Sequence, residues 1–163
     1  NDPDKANALT LARAGYDVWL GNNRGNKYSA THQTLSKSDA AYWDYYQQDM
    51  AEKDLPAFID FIIDTTGFKQ ISYVGHSEGT TQMFLGASLQ PEYFKEKINL
   101  FVALAPGANT AYTTSTFFKA ASANVQKIKL VLVRLLNIRC WLPPMIYTFD
   151  RHLLTLCGDK YAS

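Results

Sequence analysis

The chain has 163 residues, of which 47% are hydrophobic and 19% are charged, and this length and composition suit one globular domain with a buried core. The formal net charge of +1 gives no electrostatic basis for binding nucleic acid, and no run of about 18 apolar residues predicts a transmembrane segment. The chain starts with neither an initiator Met nor a signal peptide, so we interpret its start as a cut end.

The first part of the chain combines a helical pattern with a short β-rich run. Residues 6–14 are typical of the end of a helix, and residues 16–20 predict a strand that leads into a loop rich in glycine and asparagine. Arg24 lies in that loop, where we expect it to anchor neighbouring carbonyl groups or a carboxylate. This role is structural and not catalytic.

The next part, residues 39–67, carries regularly spaced acidic and apolar side chains. The carboxylates recur every five residues, which winds them around a helix and favours solvated faces and caps: Asp39, Asp44, Asp49 and Asp54. Four aromatic side chains between them favour a core over a ligand platform: Tyr42, Trp43, Tyr45 and Tyr46. Asp54 is a typical N-cap, the residues after it form an apolar stripe at helical spacing, and Gly67 is placed to end that helix.

Strands and helices alternate beyond this helix. Residues 71–74 and 100–105 predict strands, and residues 79–90 predict a helix that Pro91 ends. Alternation of this kind implies βαβ units and a parallel sheet with helices on its faces, which is the α/β class.

The pentapeptide from Gly75 to Gly79 reads Gly-His-Ser-Glu-Gly and matches the G-x-S-x-G pattern of a nucleophile elbow. It lies between a predicted strand and a predicted helix, as this turn requires. Such a turn presents Ser77 as a nucleophile, and the backbone N–H of Glu78 then faces a developing oxyanion. We expect Gly75 and Gly79 to be glycines because a side chain at either position would collide with the neighbouring chain.

The histidines offer no clear partner for this serine. His76 belongs to the elbow itself, and we expect its ring to point away from Ser77 and to pack below the turn. His32 lies in a polar loop, which favours a solvated side chain. His152 follows Asp150 and Arg151 in the predicted cap and could reach a cleft, but we do not expect it to be catalytic. No spacing of His, Cys, Asp and Glu predicts a metal site.

Several segments, in order and at matching spacing, make the sequence similar to the acid lipase family, which includes gastric and lysosomal acid lipases. They are residues 14–22, 24–26, 42–44, 49–51, 54–57, 59–62 and 73–77. The resemblance covers roughly residues 5–110 and is much more specific than the pentapeptide alone.

The resemblance implies an α/β-hydrolase fold: a partial parallel sheet with flanking helices and the start of a helical cap. It also implies hydrolysis of acylglycerols or steryl esters by a Ser-His-Asp triad through an acyl-enzyme, with no cofactor. Only Ser77 is carried over, because the family places its Asp and His beyond residue 163 and its second oxyanion donor before residue 1. We therefore expect the isolated 163-residue chain to be inactive. The family commonly has Gln where this chain has Glu78.

A domain boundary is expected near residue 107, with the hydrolase core in residues 1–106 and part of a cap or lid in residues 107–163. Residues 127–144 are basic and strongly apolar, which fits either a lid in transient contact with a lipid interface or a cap helix buried on the core. Two cysteines, Cys140 and Cys157, fit either a disulfide or buried thiols. A secreted or lysosomal location follows from the resemblance alone.

Two other hypotheses stay open. One is a different α/β hydrolase, such as a thioesterase or an esterase of small esters, for which a shallow polar acyl pocket would be expected. The other is a non-catalytic, truncated product that binds lipid.

Overall fold

The computed structural model of the chain describes residues 4–108, 113–124 and 127. Six α-helices and two strands occur in this part of the chain. The helices are α1 (Asn7–Arg13), α2 (Gln47–Asp49), α3 (Leu55–Thr66), α4 (Glu78–Leu89), α5 (Pro91–Lys97) and α6 (Thr116–Ala123), and the strands are β1 (Ile71–His76) and β2 (Ile98–Leu104).

The two strands form a parallel pair, in which Ser72 faces Leu100 and His76 faces Leu104. Helices α4 and α5 connect them, so the predicted βαβ unit and the α/β class are confirmed. Helix α5 was not predicted from the sequence, because Pro91 ends α4 but also begins the next helix, where its missing N–H costs nothing.

Helix α3 begins differently from the prediction. A π-helical turn, Met50–Asp54, joins α2 directly to α3, so Asp54 has helical dihedral angles and does not cap the helix. The wider π turn comes just before Pro56, whose ring a regular helix would not accommodate there. The helix ends at Gly67, whose φ of 76° is the left-handed C-cap that the sequence predicted.

The core lies between the sheet and helices α3, α4 and α5. Its buried cluster consists of Leu55, Ile59, Met83 and Phe94, so the predicted stripe of α3 does face the core. Among the four aromatic residues, Tyr42 and Tyr45 are buried, as expected of core residues.

A second link holds α3 to α5 through polar groups. Asp60 accepts hydrogen bonds from Tyr93 Oη at 2.7 Å and from Lys97 Nζ at 2.5 Å. Although partial burial opposes the charged form, these two donors lower the pKa of the Asp60 carboxyl. The helices that flank the sheet are therefore fixed to each other on both their apolar and their polar sides.

The strand predicted at residues 16–20 is absent from the described structure, so that prediction was wrong. The segment has no hydrogen-bonded neighbour strand, and Tyr16 and Leu20 are 65% and 73% exposed. A strand is defined by its ladder to a neighbour, and alternation in the sequence does not supply that neighbour.

Most of the predicted cap lies outside the described residues. This applies to most of residues 127–144, to His152 and to both cysteines. In the described part of the chain, no helix is long and apolar enough to cross a bilayer.

Candidate active site

The turn between β1 and α4 consists of a single residue, Ser77. Its backbone has a φ of 52° and a ψ of −114°, and a residue with a side chain rarely adopts such a conformation. A strained conformation of this kind costs about 1–3 kcal/mol, and it tends to occur at functional sites. Among the described residues, Ala105 is the only other non-glycine residue with a positive φ.

Of the two glycines that flank this turn, only Gly75 lacks space for a side chain. A Cβ atom at position 75 would lie 2.9 Å from the backbone carbon and oxygen of Gly79, which is too close for any residue but glycine. A Cβ atom at position 79 would meet only Tyr73 Oη at 3.5 Å, an ordinary contact. The expected collision is therefore correct for Gly75 and wrong for Gly79, because the close approach is to the backbone of residue 79.

The hydroxyl-bearing residue of this turn is accessible and lies at a helix N-terminus. Ser77 is exposed and is the N-cap of α4, and Glu78 is the first residue of that helix. The first N–H groups of a helix have no intrahelical acceptor and carry the positive end of its dipole. The geometry thus places a nucleophilic side chain next to backbone donors that can bind an anion.

The side chain of Glu78 is held by a hydrogen bond from α2. Gln47, which is 7% exposed and begins α2, donates a hydrogen bond from Nε2 to Glu78 Oε1 at 3.3 Å. This role of Gln47 was not predicted from the sequence, because Gln47 and Glu78 are 31 positions apart and no local pattern connects them.

The two histidines in the described part of the chain, His32 and His76, do not have the surroundings of a triad base. His76 is exposed, so the expected packing of its ring below the turn was wrong. His32 is exposed as predicted, and its Nδ1 accepts hydrogen bonds from the backbone N–H groups of Thr34 and Leu35 at 3.1 and 3.0 Å. Its ring nitrogen thus closes a local turn.

Arg24 binds a carboxylate, as predicted. Its Nε and Nη2 lie 2.8 and 2.5 Å from Asp54 Oδ1, and its backbone N–H donates to Asp54 Oδ2 at 3.1 Å. Burial opposes the charged guanidinium, but the hydrogen bond and the charge of Asp54 raise the pKa of Arg24 above its usual value.

Asp54 is buried, so the expectation of a solvated or capping carboxylate was wrong for this residue. It was right for Asp49, which accepts a hydrogen bond from the Tyr46 N–H at the start of α2.

Two further features bear on ligands. No group of three or more His, Cys, Asp or Glu side chains within the described ranges is arranged to hold a metal ion. A surface cleft of about 250 Å³ lies between the 19–22 segment and α3, and none of the elbow residues lines it.

Comparison with known proteins agrees with this geometry. The α/β-hydrolase fold family matches residues 6–132. Lipase member K of Mus musculus is 42% identical over 149 residues, which are 91% of this chain and 37% of that protein. Gastric triacylglycerol lipase of Bos taurus is 48% identical over 121 residues, 74% of this chain and 30% of the relative.

Lysosomal acid lipase/cholesteryl ester hydrolase of Homo sapiens is 50% identical over 109 residues, 67% of this chain and 27% of the relative. The chain thus spans about a third of the length of these curated relatives. The similarity to the acid lipases that the sequence indicated is confirmed, and the chain belongs to the α/β-hydrolase fold family.

Proposed function

We propose that the protein carrying this chain hydrolyses carboxylic esters of lipids through an acyl-enzyme on Ser77. One observation supports this proposal above the others: an exposed serine with a positive φ forms the whole turn between a parallel strand and a helix N-terminus. The Ser77 hydroxyl attacks the ester carbonyl and its proton passes to a general base, and the ester C–O bond then breaks as the alcohol leaves with that proton. Water, deprotonated by the same base, attacks the acyl-serine and releases the carboxylic acid and the free Ser77 hydroxyl. The base and its orienting acid are the His and Asp that the resemblance places beyond residue 163.

The backbone N–H of Glu78 is proposed as one donor to the oxyanion. It is the first N–H of α4 and belongs to the residue directly after Ser77. Gly75, His76 and Gly79 complete the elbow by their backbone geometry and take no part in proton transfer. Donors fixed in this way stabilise charge that develops in the transition state without having to reorganise.

The substrate class is proposed from the names of the relatives. One relative is named a triacylglycerol lipase and another a cholesteryl ester hydrolase, so acylglycerols and steryl esters are the two candidates.

Residues 1–106 would form the hydrolase core and residues 107–163 part of a cap, with residues 127–144 in contact with the lipid interface. Faster turnover of emulsified than of soluble esters is expected, and equal rates on both would contradict the interfacial role.

The test of the nucleophile uses the full gene product and a fluorophosphonate probe, which reacts with activated serines. We expect the wild-type protein to be labelled and Ser77→Ala to lose labelling completely, because the phosphonylated oxygen is gone. Ser72→Ala is the matched control, since Ser72 is an exposed serine on β1, the strand that leads into the turn, and it should label normally. Undiminished labelling of Ser77→Ala would refute the proposal.

The substrate assay separates the alternatives. Trioleoylglycerol, cholesteryl oleate, p-nitrophenyl butyrate and an acyl thioester are compared at equal enzyme concentration. Preference for the thioester or the short ester would favour a different hydrolase of the same fold. A folded full-length protein that neither reacts with the probe nor cleaves any ester would favour the non-catalytic, lipid-binding alternative.

A further inference from the structure

The loop that follows β2 lies directly against the elbow. Leu104 ends β2 and accepts a hydrogen bond at 2.9 Å from the backbone N–H of Ser77, and Ala105 follows with a φ of 48°. The two non-glycine residues with positive φ in the described chain thus directly follow the ends of two adjacent parallel strands. Since each would relax to an ordinary conformation if free, contacts around them must hold both.

A single buried hydroxyl joins these two turns. Thr80, in the first turn of α4, has no exposed surface. Its Oγ1 donates to the carbonyl oxygen of Ser77 at 2.6 Å and accepts from the backbone N–H of Gly107 at 2.9 Å. The first bond is local, but the second spans 27 positions and therefore depends on the tertiary fold.

The neighbouring threonine holds the other side of the same glycine. Thr81 Oγ1 donates to the carbonyl oxygen of Gly107 at 3.0 Å. A Cβ atom at position 107 would lie 2.7 Å from Thr81 Oγ1, so this loop approaches α4 as closely as a glycine allows. Both polar backbone groups of Gly107 are thus bound to side chains of α4.

We propose that Thr80 and Thr81 are positioning residues for the nucleophile, an inference that rests on the proposed role of Ser77. Together they form a hydroxyl clamp, defined as Thr80, Thr81 and Gly107, that holds the Ser77 carbonyl and the loop after β2 in one arrangement. The clamp maintains the strained backbone of Ser77 and so fixes where its side chain points. It contains no charged group, and its hydrogen bonds go to backbone groups of Ser77 and Gly107.

The test compares Thr80→Val with Thr80→Ser in the full gene product. Valine keeps the shape of threonine but removes the hydroxyl, and serine keeps the hydroxyl but removes the methyl group. For Thr80→Val we expect kcat for p-nitrophenyl butyrate and the rate of fluorophosphonate labelling to fall roughly ten- to hundred-fold, as small misplacements of reacting groups do. KM should change little, because the Thr80 side chain is fully buried, and Thr80→Ser should recover most of the lost rate.

Ile59→Val is the control for a loss of stability without a loss of positioning. Ile59 is buried in the core on α3, and its truncation lowers the midpoint of unfolding while leaving the elbow intact. We expect Ile59→Val to label at the wild-type rate under conditions where both variants are folded. If Thr80→Val does not fold, Thr81→Val tests the clamp through Gly107, because the Thr81 hydroxyl donates to the Gly107 carbonyl, and slower labelling is expected there too.

The outcomes distinguish the clamp from the function on which it rests. A folded Thr80→Val protein that labels at the wild-type rate would overturn the clamp and leave Ser77 as the nucleophile. If labelling slows equally in Thr80→Val and Ile59→Val, and Thr80→Ser does not recover the rate, the threonines contribute to stability and do not position the nucleophile. A wild-type protein that is never labelled at Ser77 would overturn both proposals.

Discussion

Two loops of the protein are each anchored to a helix by side chains, but their chemistry differs. The loop around Arg24 is held by an ion pair with Asp54, and the loop at Gly107 is held by the hydroxyl groups of Thr80 and Thr81. The first loop places its positive φ on a glycine, Gly25, at 79°. The elbow region places positive φ values on Ser77 and Ala105, which carry side chains.

The Arg24 loop needs only to be joined to its helix, whereas the contacts at the elbow must also hold a strained backbone. A glycine adopts a positive φ without steric cost, so the ion pair has only to join the loop to the helix. At the elbow, the anchor must also offset the strain of two residues. A charged pair at this position would act on the oxyanion proposed to form beside Ser77, whereas neutral hydroxyl groups hold the backbone without adding a charge there.

The largest expected effect comes from breaking the ion pair. Asp54→Asn leaves Arg24 half-buried without its carboxylate, and we expect it to lower the free energy of unfolding by about 2–4 kcal/mol in urea denaturation of the full-length protein. Lys53→Met is the matched control, because Lys53 pairs with Asp49 on the same helical segment but is itself 62% exposed, so this pair should contribute under about 1 kcal/mol. The rate of labelling at Ser77 should be unchanged in folded Asp54→Asn. Equal losses in the two variants would contradict the distinction between the loops.

The second-largest expected effect concerns the two glycines of the elbow. Gly75→Ala introduces a methyl group 2.9 Å from the backbone of Gly79, and we expect a loss of about 1–3 kcal/mol together with slower labelling. Gly79→Ala meets no such obstacle and replaces a helical glycine, so it should be neutral or stabilising by up to about 1 kcal/mol. Thermal unfolding of both variants provides the measurement. A reversed order of stability would mean that the close approach at residue 75 does not limit the turn.

The smallest effect concerns the one charge on the elbow. Glu78→Gln keeps an acceptor for Gln47 but removes a negative charge that the helix N-terminus favours, so stability should fall by under about 1 kcal/mol. Because the proposed oxyanion donor is the backbone N–H, kcat/KM should be unchanged or rise slightly when the charge is removed. A roughly hundred-fold loss of kcat in the folded variant would show that the carboxylate itself takes part in catalysis.

The sequence by itself determined the local features of this protein. The apolar stripe of α3, the glycine that ends it and the strand–serine–helix order at residues 71–89 were all predicted, because each depends on spacing within one element. Arg24 was expected to anchor neighbouring carbonyl groups or a carboxylate, because it lies in a loop after a predicted strand with a glycine beside it.

Only the tertiary structure decided which partners those local features meet. Asp54 is helical and binds Arg24, 30 positions away. Gln47 binds Glu78 across 31 positions, and Gly107 binds Thr80 across 27. The segment at residues 16–20 has the composition of a strand but no neighbouring strand in the described structure. The physical reason is common to all these cases: a residue's conformational preference is local, whereas hydrogen-bond partners and burial come from chain segments that the fold brings together.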